Sequence, residues 1–470
     1  MQSQPNTDLR KIKQQVKNLS RFEGKKLKRK ICDIIDLKGF SISVLLFKLP
    51  SFSRETQLEI VKCIEDLFFF HPRRGLKLLK RLCTAIKKSD SSCRVHLLCA
   101  IADILASSSK TQELPPELVI DAMIVLNGEK DLMRKGKAVE ILSQFEYRSA
   151  IPDMLEKMIE ALSNIDAYEN FKFVEIVMFA IKRLGGDTLL RLVINPSSNS
   201  AQTRLRLDWK EKEAEEIKAI MKVIAKFDSG LSQVLLKFVE LSEFAFPFLS
   251  MVQEGLLSED KWVRQAAVSA LGTIDQDFAI EQIAKMLKDE SAEVRLMAVT
   301  GLGNFPPGQT GEQLKTIAFA EQETIEIRLN ALYALFSQKN SSALDALVQS
   351  PTRLVSVNAL GLKALLMEKI DGLKFLLEKM DELNSDMLTH LFHYLLEISN
   401  PESLIMFVNK HSSMRDGDKR EAFIDFLKAF LEKQAGPNLE TEIMKLTPAE
   451  RSAIRSLIPS VEPTVPVTIN

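Results

Sequence analysis

Five histidines and five cysteines are the residues of this 470-residue chain best suited to metal or nucleophilic chemistry, and two groups fall at helical spacing. Asp386, His390 and His393 are four and three residues apart, so on a helix they share one face and could hold a divalent cation. The pattern lacks the glutamate of an HExxH site, and a polar outer face accounts for it equally well. Cys93, His96 and Cys99 repeat a three-residue interval that is also the interval of a packed helix face. Cys93 stands where neighbouring units carry a core valine, so packing is the simpler account. No GxxxxGK[ST], GxGxxG or GxSxG sequence occurs, so neither nucleotide binding nor nucleophile-elbow hydrolysis has an anchor. The expectation is a protein with no metal, no cofactor and no catalytic residues.

All five cysteines (Cys32, Cys63, Cys83, Cys93, Cys99) lie in the first hundred residues; their number is odd and no CxxC occurs. They read as small buried residues of a reducing, cytoplasmic compartment and not as a disulfide framework. No window of about 18 uncharged apolar residues suggests a membrane span, and MQSQPNTDLRKIKQQ is not a secretory signal.

Charge offers more. The chain holds 63 basic and 63 acidic residues, yet residues 1–88 carry 21 of the former against 8 of the latter. The positive end contains two clusters, Lys25, Lys26, Lys28, Arg29 and Lys30, then Arg73, Arg74, Lys77, Lys80 and Arg81. A one-sided excess of this size can steer an acidic protein partner, nucleic acid or an anionic surface. A solvated helix face capping the first repeat is the plainer account of the same residues.

The elements that must position these side chains are helical. Helix formers dominate, and apolar residues recur at the helical period almost throughout. In the stretch 258–305, Val263-Arg264 is followed by Ala267, Ala270, Leu271 and Gly272, and Val294-Arg295 by Ala298, Gly301, Leu302 and Gly303. Carried onward, the arginine position falls at Arg264, Arg295, Arg328, Asn358, Thr389 and Arg420, at steps of 30 to 33. The first half gives Arg54, Arg94, Arg134 and Val174 at steps of 40. Such periods signal helical hairpins that bury their apolar faces only against their neighbours.

The pattern Asp260-x-x-Val263-Arg264-x-x-Ala267-x-x-Ala270-Leu271-Gly272 resembles a HEAT repeat, in the short form also found in bilin lyases. The resemblance implies an all-α fold, an α-solenoid of stacked antiparallel hairpins that binds macromolecules on its concave face, and it implies no catalytic residues. An aspartate four residues before an arginine, as in Asp90 and Arg94, Asp260 and Arg264, or Asp416 and Arg420, is placed to cap its helix and accept from a neighbouring repeat's arginine. With Arg295 and Arg328 these residues would form a structural ladder. Asn358 and Thr389 interrupt it.

Taken in order, residues 1–30 read as a basic lead-in or capping helix and 31–194 as repeats of period about 40. Residues 195–208 (NPSSNSAQTRLRLD) read as a loop, 209–446 as repeats of period about 31, 447–459 as a capping helix and 460–470 as a disordered tail. The expected function is a non-enzymatic, cytoplasmic scaffold for protein partners. The alternatives are a nucleic-acid-binding solenoid using the basic N-terminal region, and a bilin-lyase-like enzyme or accessory subunit.

Overall fold

Short polar caps decide where many of the helices begin. Ser53, Asp90, Asp131, Thr324, Asn340, Asn384 and Asp416 each accept a hydrogen bond from a backbone N–H in the first turn of the helix they precede. Each cap satisfies an amide that the helix itself leaves free, a contribution of about 1 kcal/mol. The computed structural model describes residues 5–37, 41–107, 115–165, 167–208, 214–241, 246–274 and 277–457. Among these the chain is all-α, an α-solenoid with no strand. Contacts divide it into two units, residues 1–263 and 264–470.

The first unit contains α1 (Pro5–Lys17), α2 (Gly24–Leu37), α3 (Ser41–Lys48), α4 (Arg54–Phe70), α5 (Leu79–Ile86), α6 (Ser91–Ala106) and α7 (Glu117–Gly128). It continues with α8 (Leu132–Gln144), α9 (Ile151–Leu162), α10 (Tyr168–Ile194), α11 (Asn199–Asp208), α12 (Ala214–Ile224), α13 (Ser229–Leu241) and α14 (Leu249–Gly255). Helices α2, α4, α6, α8 and α10 pack each on the next as one row. In the other row α1 packs on α3 and α3 on α5, while α7 packs on α9. The lead-in joins this packing, because Ile12, Val16 and Leu19 are buried. Helix α10 is two helical segments joined at Gly186, whose φ of 66° lies in the left-handed region that a side chain resists.

The segment 195–208, expected as a loop, is instead helical from Asn199 to Asp208. Ser198 Oγ accepts from Ala201 N, the Gln202 side chain donates to Pro196 O, and Ala201 and Leu205, four apart, are buried. Two apolar residues on one face suffice once a neighbouring helix is there to cover them. Helices α12 and α13 pack on α9, and α13 and α14 on α10, with Phe171 against Phe238 and Phe179 against Phe248. Residues 214–263 therefore belong with the first unit, which corrects the division drawn at 195–208. The tail 460–470 lies outside the described residues.

Helix α15 (Lys261–Leu271) crosses the division. The second unit follows with α16 (Asp277–Met286), α17 (Ala292–Gly303), α18 (Pro307–Phe319), α19 (Ile325–Ser337), α20 (Ser341–Leu347) and α21 (Arg353–Leu366). It ends with α22 (Lys369–Lys379), α23 (Ser385–Ile398), α24 (Leu404–Ser413), α25 (Gly417–Lys433), α26 (Pro437–Lys445) and α27 (Pro448–Leu457). Helices α17, α19, α21, α23 and α25 pack successively, and α18, α20, α22 and α24 lie beside them. Small residues set the spacing: a β-carbon on Gly272 would stand 3.3 Å from the Cα of Gly301. The tyrosine ring of Tyr394 fills the space where a β-carbon on Gly361 would be, and a β-carbon on Gly372 would run into Ala364 O. At the end of the stack Thr447 and Glu450 form a reciprocal cap, Thr447 N donating to Glu450 Oε2 (2.9 Å) and Glu450 N to Thr447 Oγ1 (3.3 Å).

Polar contacts staple both ends of the arginine-bearing helices. Arg264 grips Asp289 with two hydrogen bonds (2.8 and 3.0 Å), and the two side chains are only 9% and 8% exposed. Arg295 grips Glu323 in the same way (2.9 and 3.1 Å). In the first unit Arg54 pairs with Asp90 (2.9 Å) and Arg94 with Asp121 (3.1 Å). The rungs thus run forward to an acid in the next repeat. Asp90 both caps its own helix and accepts from Arg54 of the preceding repeat, while Asp260 and Asp416 cap their own helices. Arg328 turns back to Ala318 O (3.0 Å), because the approach to α21, Ser350-Pro351-Thr352, offers no carboxylate. At Asn358 the rung is replaced by a hydrogen bond from the buried Tyr394 hydroxyl (2.6 Å). Thr389 bonds within its own helix, and the exposed Arg420 reaches His411.

A second set of staples was not anticipated. Asn304, Gln338 and Gln434, just past α17, α19 and α25, donate side-chain N–H groups to Gly272 O, Leu302 O and Ser399 O. These carbonyls end the preceding helix of the row and lack partners within it.

Two predictions follow from this packing. Gly372→Ala is expected to lower stability by about 2 kcal/mol, because the obstruction is backbone, while Gly417→Ala, in open space, is expected to raise it by about 0.5 kcal/mol. Urea denaturation of both variants checks this. Asp289→Asn removes half of a buried pair and should cost about 3 kcal/mol at pH 7. Burial acts to raise the Asp289 carboxyl, but the hydrogen bonds from Arg264 and Ser291 N outweigh it and hold the group below its ordinary range. The native carboxylate therefore takes up its proton at lower pH than the unfolded one. Its stabilisation is full above the unfolded value of about 3.9 and is lost as pH falls through the native value. Denaturation series at pH 7, 5 and 3 (roughly spanning that window) should show the wild-type advantage over Asp289→Asn shrinking towards the acid end.

Candidate functional site

The outward residues of the N-terminal helices are fixed by what those helices bury. In α3, Ile42, Leu45 and Leu46, with Leu49 beyond it, are buried at spacings of three, one and three, which turns Phe47 and Lys48 to solvent. Phe47 is 80% exposed. In α5, Leu79, Leu82, Cys83 and Ile86 are buried, so Lys80, Arg81 and Thr84 face outward, as do Lys87 and Lys88 beyond the helix end. In α2, Leu27, Ile31, Ile34 and Ile35 are buried and Lys25, Lys26, Lys28, Arg29 and Lys30 are exposed. Arg73, Arg74 and Lys77 are exposed on the 3-10 turn Pro72–Leu78.

These cations do not converge on one point. Lys28 pairs with Asp66 on α4 (3.6 Å), which raises its ammonium pKa, and Lys30 pairs with Asp33 (3.2 Å). Of the ten predicted binding cations, only Arg81 lines the open groove of about 730 Å³ formed by α1, α3 and α5. The groove has an apolar floor of Leu9, Val44, Pro50 and Ala85, with Phe47 beside it. It also carries Lys13, Lys48, Arg81 and Lys88, and no aspartate or glutamate is among the described residues that line it. Lys48 Nζ lies 5.7 Å from the Phe47 ring centroid. Sequence reading passed over Phe47 and Lys48. The signal was present in SISVLLFK, where the buried period leaves an aromatic on the wrong face.

The other candidates for chemistry occupy structural positions or stand apart. Asp386, His390 and His393 are exposed along α23, and no group of three metal-ligating side chains is assembled among the described residues. His96 hydrogen-bonds Glu65, tying α6 to α4. All five cysteines are free thiols, four of them buried. Burial pushes Cys83 up to about 11 and Cys93 up to about 12; Cys63 also reaches about 12, through burial and the neighbouring Cys32. None of these three offers a thiolate at neutral pH. Lys137, between Asp103 (2.9 Å) and Glu140 (3.3 Å), joins α8 to α6. There burial raises the Glu140 carboxyl, with the lysine only partly offsetting it.

The family description "HEAT repeats" matches residues 249–318. No curated protein matches the chain in sequence. Among solved structures, the karyopherin Kap121p bound to the SUMO protease Ulp1p is similar at 11% identity and a TM-score of 0.35, over 92% of this chain and 54% of that one. Kap95p in a structure with RanGDP is similar at 13% identity and a TM-score of 0.33, over 97% and 65%. An engineered protein is similar at 15% identity and a TM-score of 0.26, over 90% and 99%. This chain thus spans about half the length of Kap121p, and at such values the likeness says nothing of partners. No helix among the described residues is long and apolar enough to cross a membrane. The chain is an α-solenoid that carries HEAT repeats, matched over residues 249–318.

Proposed function

We propose that this chain is a non-enzymatic, cytoplasmic scaffold that holds a protein partner, with the N-terminal unit as the docking end. The observation that carries the proposal is the open groove of α1, α3 and α5, where an exposed aromatic and other apolar residues stand with four cations and no acid is among the described lining residues. Apolar centres with a polar rim are how protein interfaces are built. The ladder arginines Arg54, Arg94, Arg264 and Arg295 support the same reading from the other side, since their charges are taken up in holding repeats together.

Nucleic acid is the second reading, favoured by the exposed run Lys25, Lys26, Lys28, Arg29 and Lys30 on α2. It is the weaker of the two, because Lys28 and Lys30 already have carboxylate partners. Affinity capture by the full-length chain from a nuclease-treated lysate of its own source, followed by size exclusion, separates them. The scaffold reading expects a protein that stays at a fixed ratio through both steps. The nucleic-acid reading expects bound material that nuclease removes, and an affinity that falls steeply with salt. Deleting the first thirty residues is a poor probe, because it would strip Ile12, Val16, Leu19 and Leu27 from the core.

A further inference from the structure

We propose that the groove between α1, α3 and α5 docks an acidic amphipathic helix presented by a protein partner. The inference rests on the scaffold reading and names the segment that such a scaffold would hold. Three features select this occupant. The floor is apolar, and Phe47 stands 80% exposed beside it, so the ligand must bring apolar side chains to cover them.

The rim is the second feature. Lys13 comes from α1, Lys48 from α3, Arg81 from α5, and Lys88 lies just past the end of α5. No carboxylate pairs with any of the four among the described residues. Like charges gathered around an opening repel one another, and a ligand with negative charge along both edges relieves that repulsion.

The distribution of these groups is the third. A fatty acid or lipid carries its charge at one end, whereas these cations are supplied by three different helices. Single-stranded nucleic acid is held on successive aromatic platforms, and Phe47 is the one aromatic among the described lining residues. A helix with apolar residues at i, i+3, i+4 and i+7, flanked by Asp and Glu, meets the floor and both edges together.

The test uses the full chain and a labelled synthetic peptide of about 16 residues, with leucines at that spacing and glutamates elsewhere, read by fluorescence anisotropy. The controls are a scrambled peptide of the same composition, a single-stranded RNA oligonucleotide, and phosphatidylserine vesicles read by co-sedimentation. The amphipathic peptide should bind at least about tenfold more tightly than the scrambled one. Phe47→Ala and the pair Lys48→Glu with Arg81→Glu should each weaken it about tenfold. These side chains are exposed, so thermal midpoints should stay unchanged, which keeps a binding loss distinct from unfolding.

Equal binding of the scrambled peptide, binding indifferent to both variants, or preference for the RNA or the vesicles overturns the proposal. A protein captured at a fixed ratio by the wild type and equally by Phe47→Ala overturns the groove while leaving the scaffold reading in place. Capture of no protein removes the scaffold reading itself.

Discussion

The second unit depends on how closely one arginine-bearing helix can approach the next. At Gly272 and Gly301 the two backbones come so near that a single added β-carbon would stand 3.3 Å from the facing Cα. Alanines at 267, 270, 298 and 331 keep the rest of the seam equally shallow and fully buried. Close approach alone would leave the helices free to slide along one another. The polar staples remove that freedom. Arg264 and Arg295 tie helix beginnings forward to Asp289 and Glu323, while Asn304 and Gln338 tie helix ends back to Gly272 O and Leu302 O. Apolar burial supplies most of the stability of such a stack, about 1.5–3 kcal/mol for each large side chain covered. The buried ion pairs contribute chiefly register, since their attraction must first offset the cost of desolvating both charges.

This division of labour bears on function. Several polar groups inside the stack are committed: Lys137 lies between Asp103 and Glu140, His96 binds Glu65, and the neutral Tyr394 hydroxyl donates to Asn358. The four cations of the N-terminal groove meet no carboxylate among the described residues. Lys13, Lys48, Arg81 and Lys88 line an apolar opening with no carboxylate among its described lining residues, and Phe47 lies among them with most of its ring in solvent. In α3, Ile42, Leu45 and Leu46 face the packed side, and Phe47 falls on the side that the described helices leave uncovered.

The repeat pattern was legible because it is local: a Val-Arg pair followed by small residues at fixed offsets reports one helix and its seam, whatever lies around it. Arg264 and Arg295 could be recognised in this way, as could the interruptions at Asn358 and Thr389. The acids that receive them could not be assigned, because Asp289 and Glu323 are defined by which repeat stacks next and at what angle. The rung at Asn358 shows the same limit. Its replacement by Tyr394 comes from the following helix of the row, 36 residues away. The stretch 195–208 failed for a related reason, since its helix is stabilised by a neighbour covering Ala201 and Leu205 and not by its own propensity.

By itself, then, the sequence determined the all-α architecture, the hairpin period, the basic N-terminal end and the positions of the small residues. These are written in intervals of three, four and about thirty residues that any helix must obey. Tertiary structure alone decided which cations meet an acid from another part of the stack among the described residues. Lys28 looked no different from Lys13 and Lys48 as a residue, but it meets Asp66 of α4 while the other two border an apolar groove. The physical reason is that a charge's role depends on what lies within a few ångströms of it, and in a stack those neighbours come from other repeats.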